Sequence, residues 1–133
     1  MSAGVQAHPA TVAWRLREHN AHYPWAVVWI DHQEARILRF DETAGDRTMI
    51  RSRCGHKHTF LQSVAESMRG AQSVLIVGPS MSKHELLSHV ERSEPIMWKR
   101  VVGVEAVDHP TDEELLVYAQ QHFRVKSGLH VGV

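Results

Sequence analysis

With 133 residues and 15.1 kDa the chain has room for one domain, and it can bury roughly two-thirds of its unfolded surface, so a core needs no disulfide or metal staple. Fifteen basic residues balance fifteen acidic ones, which excludes a global field drawing the protein to nucleic acid or membrane; any such binding must come from a local patch. The single cysteine, Cys54, excludes an intrachain disulfide or a cysteine-rich zinc site and points to a reducing, cytoplasmic compartment.

Residues 1–24 read as an N-terminal extension in which Ala10 to Asn20 carries a weak helical pattern. No secretory signal and no membrane-spanning run of ~20 apolar residues is expected. The domain is expected over 25–125. Ala26-Val27-Val28-Trp29-Ile30 is a continuous apolar run, as in a strand buried on both faces. Asp31-His32-Gln33 is a turn, and Glu34 to Phe40 closes an antiparallel hairpin. Asp41 to Asp46 reads as a second turn. Arg47 to Arg53 reads as a third strand, with Arg47, Arg51 and Arg53 on one face and Thr48, Ile50 and Ser52 on the other. Phe60, Leu61, Val64, Ala65 and Met68 then recur at helical spacing, with Gly70 where a C-cap belongs. Ser73 to Val77 is a buried strand stopped by Gly78-Pro79. Ser82-Lys83-His84-Glu85 has capping-box spacing, ahead of Leu86, Leu87 and Val90. Pro95 opens a one-turn helix, Val101 to Val107 is a fifth strand, and Thr111-Asp112-Glu113-Glu114 is a second capping box leading to Leu115, Leu116, Tyr118, Ala119 and Phe123. A tail follows over 126–133. Three antiparallel strands followed by alternating helix–strand units predict an α/β domain with one mixed sheet, the chain order of the RNase H-like fold.

The stretch Val74-Leu75-Ile76-Val77-Gly78-Pro79-Ser80-Met81-Ser82-Lys83 resembles the strand–Gly–Pro–x–x–x–Lys segment in the middle domain of archaeal and eukaryotic peptide-chain release factors and Pelota. Lys99 to Asp112 and Val28 to Ala35 resemble bacterial single-domain relatives of that module, described as translational machinery proteins. The resemblance covers about Trp25 to Phe123. It implies the fold above and a module that docks on ribosome or RNA surfaces. In the release factors the loop before the first helix carries Gly-Gly-Gln, which promotes hydrolysis of peptidyl-tRNA. The matching loop here, Cys54-Gly55-His56-Lys57-His58-Thr59, has one glycine and no glutamine, so release activity is not carried over.

Several constellations carry chemistry. Arg51, Arg53, Gly55, His56, Lys57 and His58 form a short basic cluster able to neutralise phosphates, with rings that can stack on unpaired bases. The bland alternative is a solvated strand end with His58 or Thr59 capping the next helix. In an extended loop Cys54, His56 and His58 share parity, but zinc would need a fourth ligand such as His32 or Asp31. A second site is the crevice at the carboxyl ends of the parallel strands, gathering Asp31, His32, Ser80, Ser82, Lys83, Asp108 and His109. There a helix N-terminus would favour an anion, although Gly78-Pro79 also reads as a plain turn. Two-metal nuclease chemistry finds Asp31 and Glu66 but no acid after Val77-Gly78, an incomplete set. The sequence thus points to a ribosome- or RNA-binding module that needs no cofactor. The alternatives are a metal-assisted hydrolase using His56, His58 and Asp31, and a non-catalytic interaction subunit, including a homo-oligomer, with Trp14 and Trp25 at a contact.

Overall fold

Residues 13–14 and 23–127 are described by a computed structural model, through the backbone alone at 13–14 and 125–127. The apolar runs become strands of one sheet, and the helical spacings become the helices on its two faces. In chain order the elements are β1 (Ala13–Trp14), β2 (Trp25–Ile30), β3 (Glu34–Phe40), β4 (Ala44–Arg51), α1 (Lys57–Ser67), β5 (Ser73–Gly78), α2 (Ser82–Ser93), α3 (Pro95–Trp98), β6 (Val101–Ala106) and α4 (Asp112–Ser127). The strand order is β1-β4-β3-β2-β5-β6. β3 is antiparallel to both β2 and β4, while β5 and β6 run parallel to β2, so the sheet is mixed as expected.

Alternation along the central strands builds two cores. Ala26, Val28, Ile30, Ile37, Val74 and Ile76 face Phe60, Leu61, Val64, Leu86 and Val90 of α1 and α2. Val27, Trp29, Leu38, Phe40, Leu75 and Val77 face Leu115, Leu116, Ala119 and Phe123 of α4. The fold is therefore three-layered, with β2 and β5 buried on both sides. Trp25 stacks on Phe123 with ring centroids 6.2 Å apart, so the start of β2 and the last described turns of α4 lie together. Among the described residues no helix is long and apolar enough to cross a membrane.

Gly78 ends β5 where it passes the last residue of β2. A Cβ there would sit 2.1 Å from the Ile30 carbonyl oxygen, so this close approach admits glycine alone. One ion pair is largely inside: Arg39 donates to both carboxylate oxygens of Asp46, at 3.1 and 2.8 Å, and the Asp46 side chain is only 3% exposed.

Four expectations need correction. The third strand begins at Ala44, because Asp41 Oδ1 accepts the Thr43 and Ala44 N–H groups at 2.8 Å and closes the turn early. That strand ends at Arg51, so Arg53 belongs to the turn marked by the His56 N–H to Arg53 carbonyl bond and by Gly55 at φ +79. The next helix starts at Lys57, three residues before its first apolar residue, and His56 is its N-cap without a side-chain bond. At Ala13 and Trp14 the backbone is extended and pairs with β4, where a helix was expected; the rest of that expected helix lies outside the described residues.

The two capping boxes diverge. Thr111 Oγ1 accepts the Glu114 N–H at 3.1 Å and Glu114 Oε1 accepts the Thr111 N–H at 2.8 Å, the reciprocal pair expected. Ser82 instead lies inside α2, whose N-cap is Met81, and its hydroxyl and Glu85 serve other partners.

Candidate functional site

Because β2, β4, β5 and β6 run the same way, the segments after them emerge at one end of the sheet. The two clusters read separately from the sequence therefore share that end. Their link is direct: the Ser52 N–H donates to the Gln33 carbonyl at 2.8 Å, which ties the basic loop to the β2–β3 turn. Lys57 Nζ donates to Glu85 Oε2 at 2.8 Å, which ties the start of α1 to the first turn of α2.

In the basic segment Arg51, Arg53, Gly55, His56, Lys57 and His58 are all exposed. Arg51 extends from β4 and meets Glu34 only at 3.7 Å, with three-quarters of its side chain in water. Lys57 is held by Glu85, an attraction that also offsets a cation in the first turn of a helix. Arg53 has no carboxylate partner among the described residues. The cluster is thus a solvated cationic edge, partly neutralised from β3 and α2.

The rings do not converge on a metal. His56 is the N-cap, with non-helical φ −122 and ψ 40, and His58 lies in the first turn of α1, so the extended register that would set both rings on one face is absent. His58 instead meets His89 edge to face at 5.1 Å between centroids. His89 is buried, with Nε2 2.7 Å from Gln62 Oε1. Burial holds its pKa below the ordinary 6.5, assisted by the neighbouring His58 and Arg92 and opposed by Glu94. Among the described residues no group of three His, Cys, Asp or Glu could hold a metal ion, so the ligand set expected from His56, His58 and Asp31 does not form.

The crevice residues do gather. Ser82 Oγ lies 3.1 Å from His32 Nδ1, and Ser80 Oγ accepts the Ser82 N–H at 3.3 Å. Lys83 is buried and donates from Nζ to the Ser80 carbonyl at 2.7 Å. Asp31 Oδ1 accepts the N–H groups of Gln33 and Glu34 at 2.8 and 2.9 Å, the hairpin-turn role. Its other oxygen is 3.8 Å from His109 Nε2. The Asp108 carbonyl accepts from Trp29 Nε1 at 2.6 Å. Most polar atoms here are thus spent on holding loops together.

The sequence did not signal the strap beside this end. Arg36 lies over the Trp29 ring at 4.7 Å and donates to Asp112 and to the Pro110 carbonyl, while Arg47 reaches the same Asp112 carboxylate at 2.6 Å. Asp112 read only as an acid in a capping box, and nothing local marked it as the partner of two arginines from neighbouring strands. A second polar group lies over β6: Tyr118 and His122 both bond to Glu105, and burial followed by the Glu105 bond pushes the Tyr118 phenol up to about 12.

No protein-family model matches the chain, and a search of curated sequences finds no match. Solved structures do match. Pelota from Archaeoglobus fulgidus superposes with TM-score 0.64 at 14% identity, covering 80% of this chain and 33% of that one. S. cerevisiae Dom34, described as a translation termination-like factor involved in RNA quality control pathways, gives 0.56 at 11% identity, covering 81% and 37%. The archaeal translation termination factor aRF1 gives 0.52 at 12% identity, covering 81% and 42%. The chain therefore spans between a third and about two fifths of the proteins it matches. At the level of fold, the likeness to release factors and Pelota read from Val74 to Lys83 is found.

Proposed function

We propose that this chain is a translation-associated module that works in the cytoplasm, binds the ribosome or RNA through the β4–α1 edge, and does not catalyse peptide release. The fold likeness to a translation termination factor and to a termination-like factor supports the setting. The observation that carries the reading is the loop itself. It stands at an exposed end of the sheet, keeps Arg51, Arg53 and Lys57 in solvent, and lacks Gly-Gly-Gln. Cations presented on a turn and a helix start can displace counterions from phosphates, while His56 offers a ring beside them. Peptide release needs a positioned water, and the loop has no glutamine to position one. Metal-assisted hydrolysis lacks a ligand set among the described residues.

The test is ribosome co-sedimentation at low and raised salt, with Arg51→Gln/Arg53→Gln/Lys57→Gln beside the parent protein. The ion pairs lost are exposed and worth about 0–1 kcal/mol each, so the variant folds. Removing three phosphate contacts lowers the logarithmic salt slope by about 2–3. A parent protein that stays free of ribosomes at low salt would sink the reading; an unchanged slope in the variant would sink the loop assignment alone.

A further inference from the structure

At the opposite end of the sheet one apolar feature stands in water. α3 is a single turn that buries Met97 at 5% exposure, and this leaves its neighbours Ile96 and Trp98 pointing outward, 71% and 39% exposed. Trp25 packs on Phe40 and Phe123 and Trp29 is core, so Trp98 is the tryptophan left at the surface among those whose side chains are described. The turn is held in place. The Trp98 backbone N–H donates to the Glu94 carbonyl at 2.9 Å, and Arg100 donates through Nη1 to the Ala71 carbonyl at 3.0 Å.

Cations lie beside this turn in the chain. Arg92, Lys99 and Arg100 flank it in the chain, and Arg69 reaches it through its bond to Glu94. Arg69 and Glu94 answer each other at 2.5 Å, which leaves Glu91 as the other acid of the segment 91–100 that holds Arg92, Lys99 and Arg100. A partly exposed indole on a turn fixed by backbone hydrogen bonds, with lysine and arginine beside it in the chain, has the chemistry of a base-stacking platform with phosphate contacts. Two exposed apolar side chains are too few for the core of a stable protein–protein interface, whereas one stacked base needs only the face of one ring.

Resting on the translation reading above, we infer that Trp98, with Arg92, Lys99 and Arg100 near it in the chain, is a second contact for single-stranded RNA. It takes an unpaired base on the indole and the flanking phosphates on the cations. The two surfaces lie at opposite ends of the sheet, so they meet different RNA segments and their contributions add.

The experiment is fluorescence anisotropy with a labelled oligouridylate of about ten nucleotides. It compares the parent protein, Trp98→Ala, Trp98→Phe, Arg92→Gln/Lys99→Gln and the loop triple variant, with circular dichroism to check folding. Trp98→Ala is expected to weaken binding about 5- to 150-fold, the range carried by one lost base stack, while Trp98→Phe keeps most of it. Arg92→Gln/Lys99→Gln is expected to flatten the salt dependence. If the loop variant loses the oligonucleotide and Trp98→Ala binds like the parent, this inference is overturned and the loop reading stands. The reverse pattern upholds Trp98 and removes the loop. If the parent binds no oligonucleotide, the inference falls, and ribosome sedimentation decides the loop separately. A parent dimer that Trp98→Ala turns into monomer, with oligonucleotide binding unchanged, overturns it in favour of self-association.

Discussion

Replacing Gly78 by alanine tests the close passage of β5 along β2. The new Cβ would stand 2.1 Å from the Ile30 carbonyl oxygen, whereas real Cβ atoms essentially never come within 3.0 Å of such an atom. Relief therefore takes about 1 Å of extra separation between strands that normally lie about 4.8 Å apart. The obstacle is backbone in the middle of the sheet, so no side chain can swing away. Overpacking of this kind costs about 1–3 kcal/mol, and the loosened ladder adds about 1 kcal/mol more. A loss near 3 kcal/mol is a large part of the about 7–20 kcal/mol available to a domain this size. It would lower the melting temperature by about 10–15 °C. Urea unfolding followed by tryptophan fluorescence and circular dichroism measures it. The control is Gly70→Ala, where φ is +93 but nothing lies within 4 Å, so only the left-handed backbone is penalised, by about 1–2 kcal/mol. If Gly78→Ala proves no more destabilising than Gly70→Ala, the steric account is wrong.

Two further outcomes follow from buried groups. Asp46→Asn leaves Arg39 without its anion in a mostly dry site, and a loss of about 3–5 kcal/mol is expected in the same unfolding assay; Arg39→Met/Asp46→Leu should recover much of it. His89 has a folded pKa below 6.5, so the folded state binds fewer protons than the unfolded chain below that pH. Its contribution to stability is then full above about pH 7 and is lost as the pH falls through the unfolded value toward the folded one. His89→Gln should flatten the urea midpoint between about pH 7 and 5, and a midpoint that still falls as steeply would assign the effect to other groups.

Patterns that depend on burial alone were readable from the sequence. β2 and β5 announced themselves as unbroken apolar runs because both faces of each are covered, by α1 and α2 on one side and α4 on the other. Thr111 and Glu114 formed their cap because both remain in water with no stronger partner. Ser82 and Glu85 have the same spacing and did not, since His32 and Lys57 claimed them from 50 and 28 residues away. The start of α1 was hidden for a related reason: Lys57 in a first turn opposes the helix dipole, and the anion that answers it lies on another helix. The gathering of Asp31, His32, Ser80, Ser82, Lys83, Asp108 and His109 at one end followed from strand direction, which element order fixes. Which of them touch depended on rotamers and loop paths that no local pattern encodes. The Arg36–Asp112–Arg47 strap is of that second kind.

The stacking of Trp25 on Phe123 joins the first residue of β2 to a residue in the last described turns of α4. The contact is a clasp on the α4 layer alone: opening it would free that layer's end and leave the packing of α1 and α2 on the other face in place. The cationic edge, at the far end of the sheet, would keep its geometry.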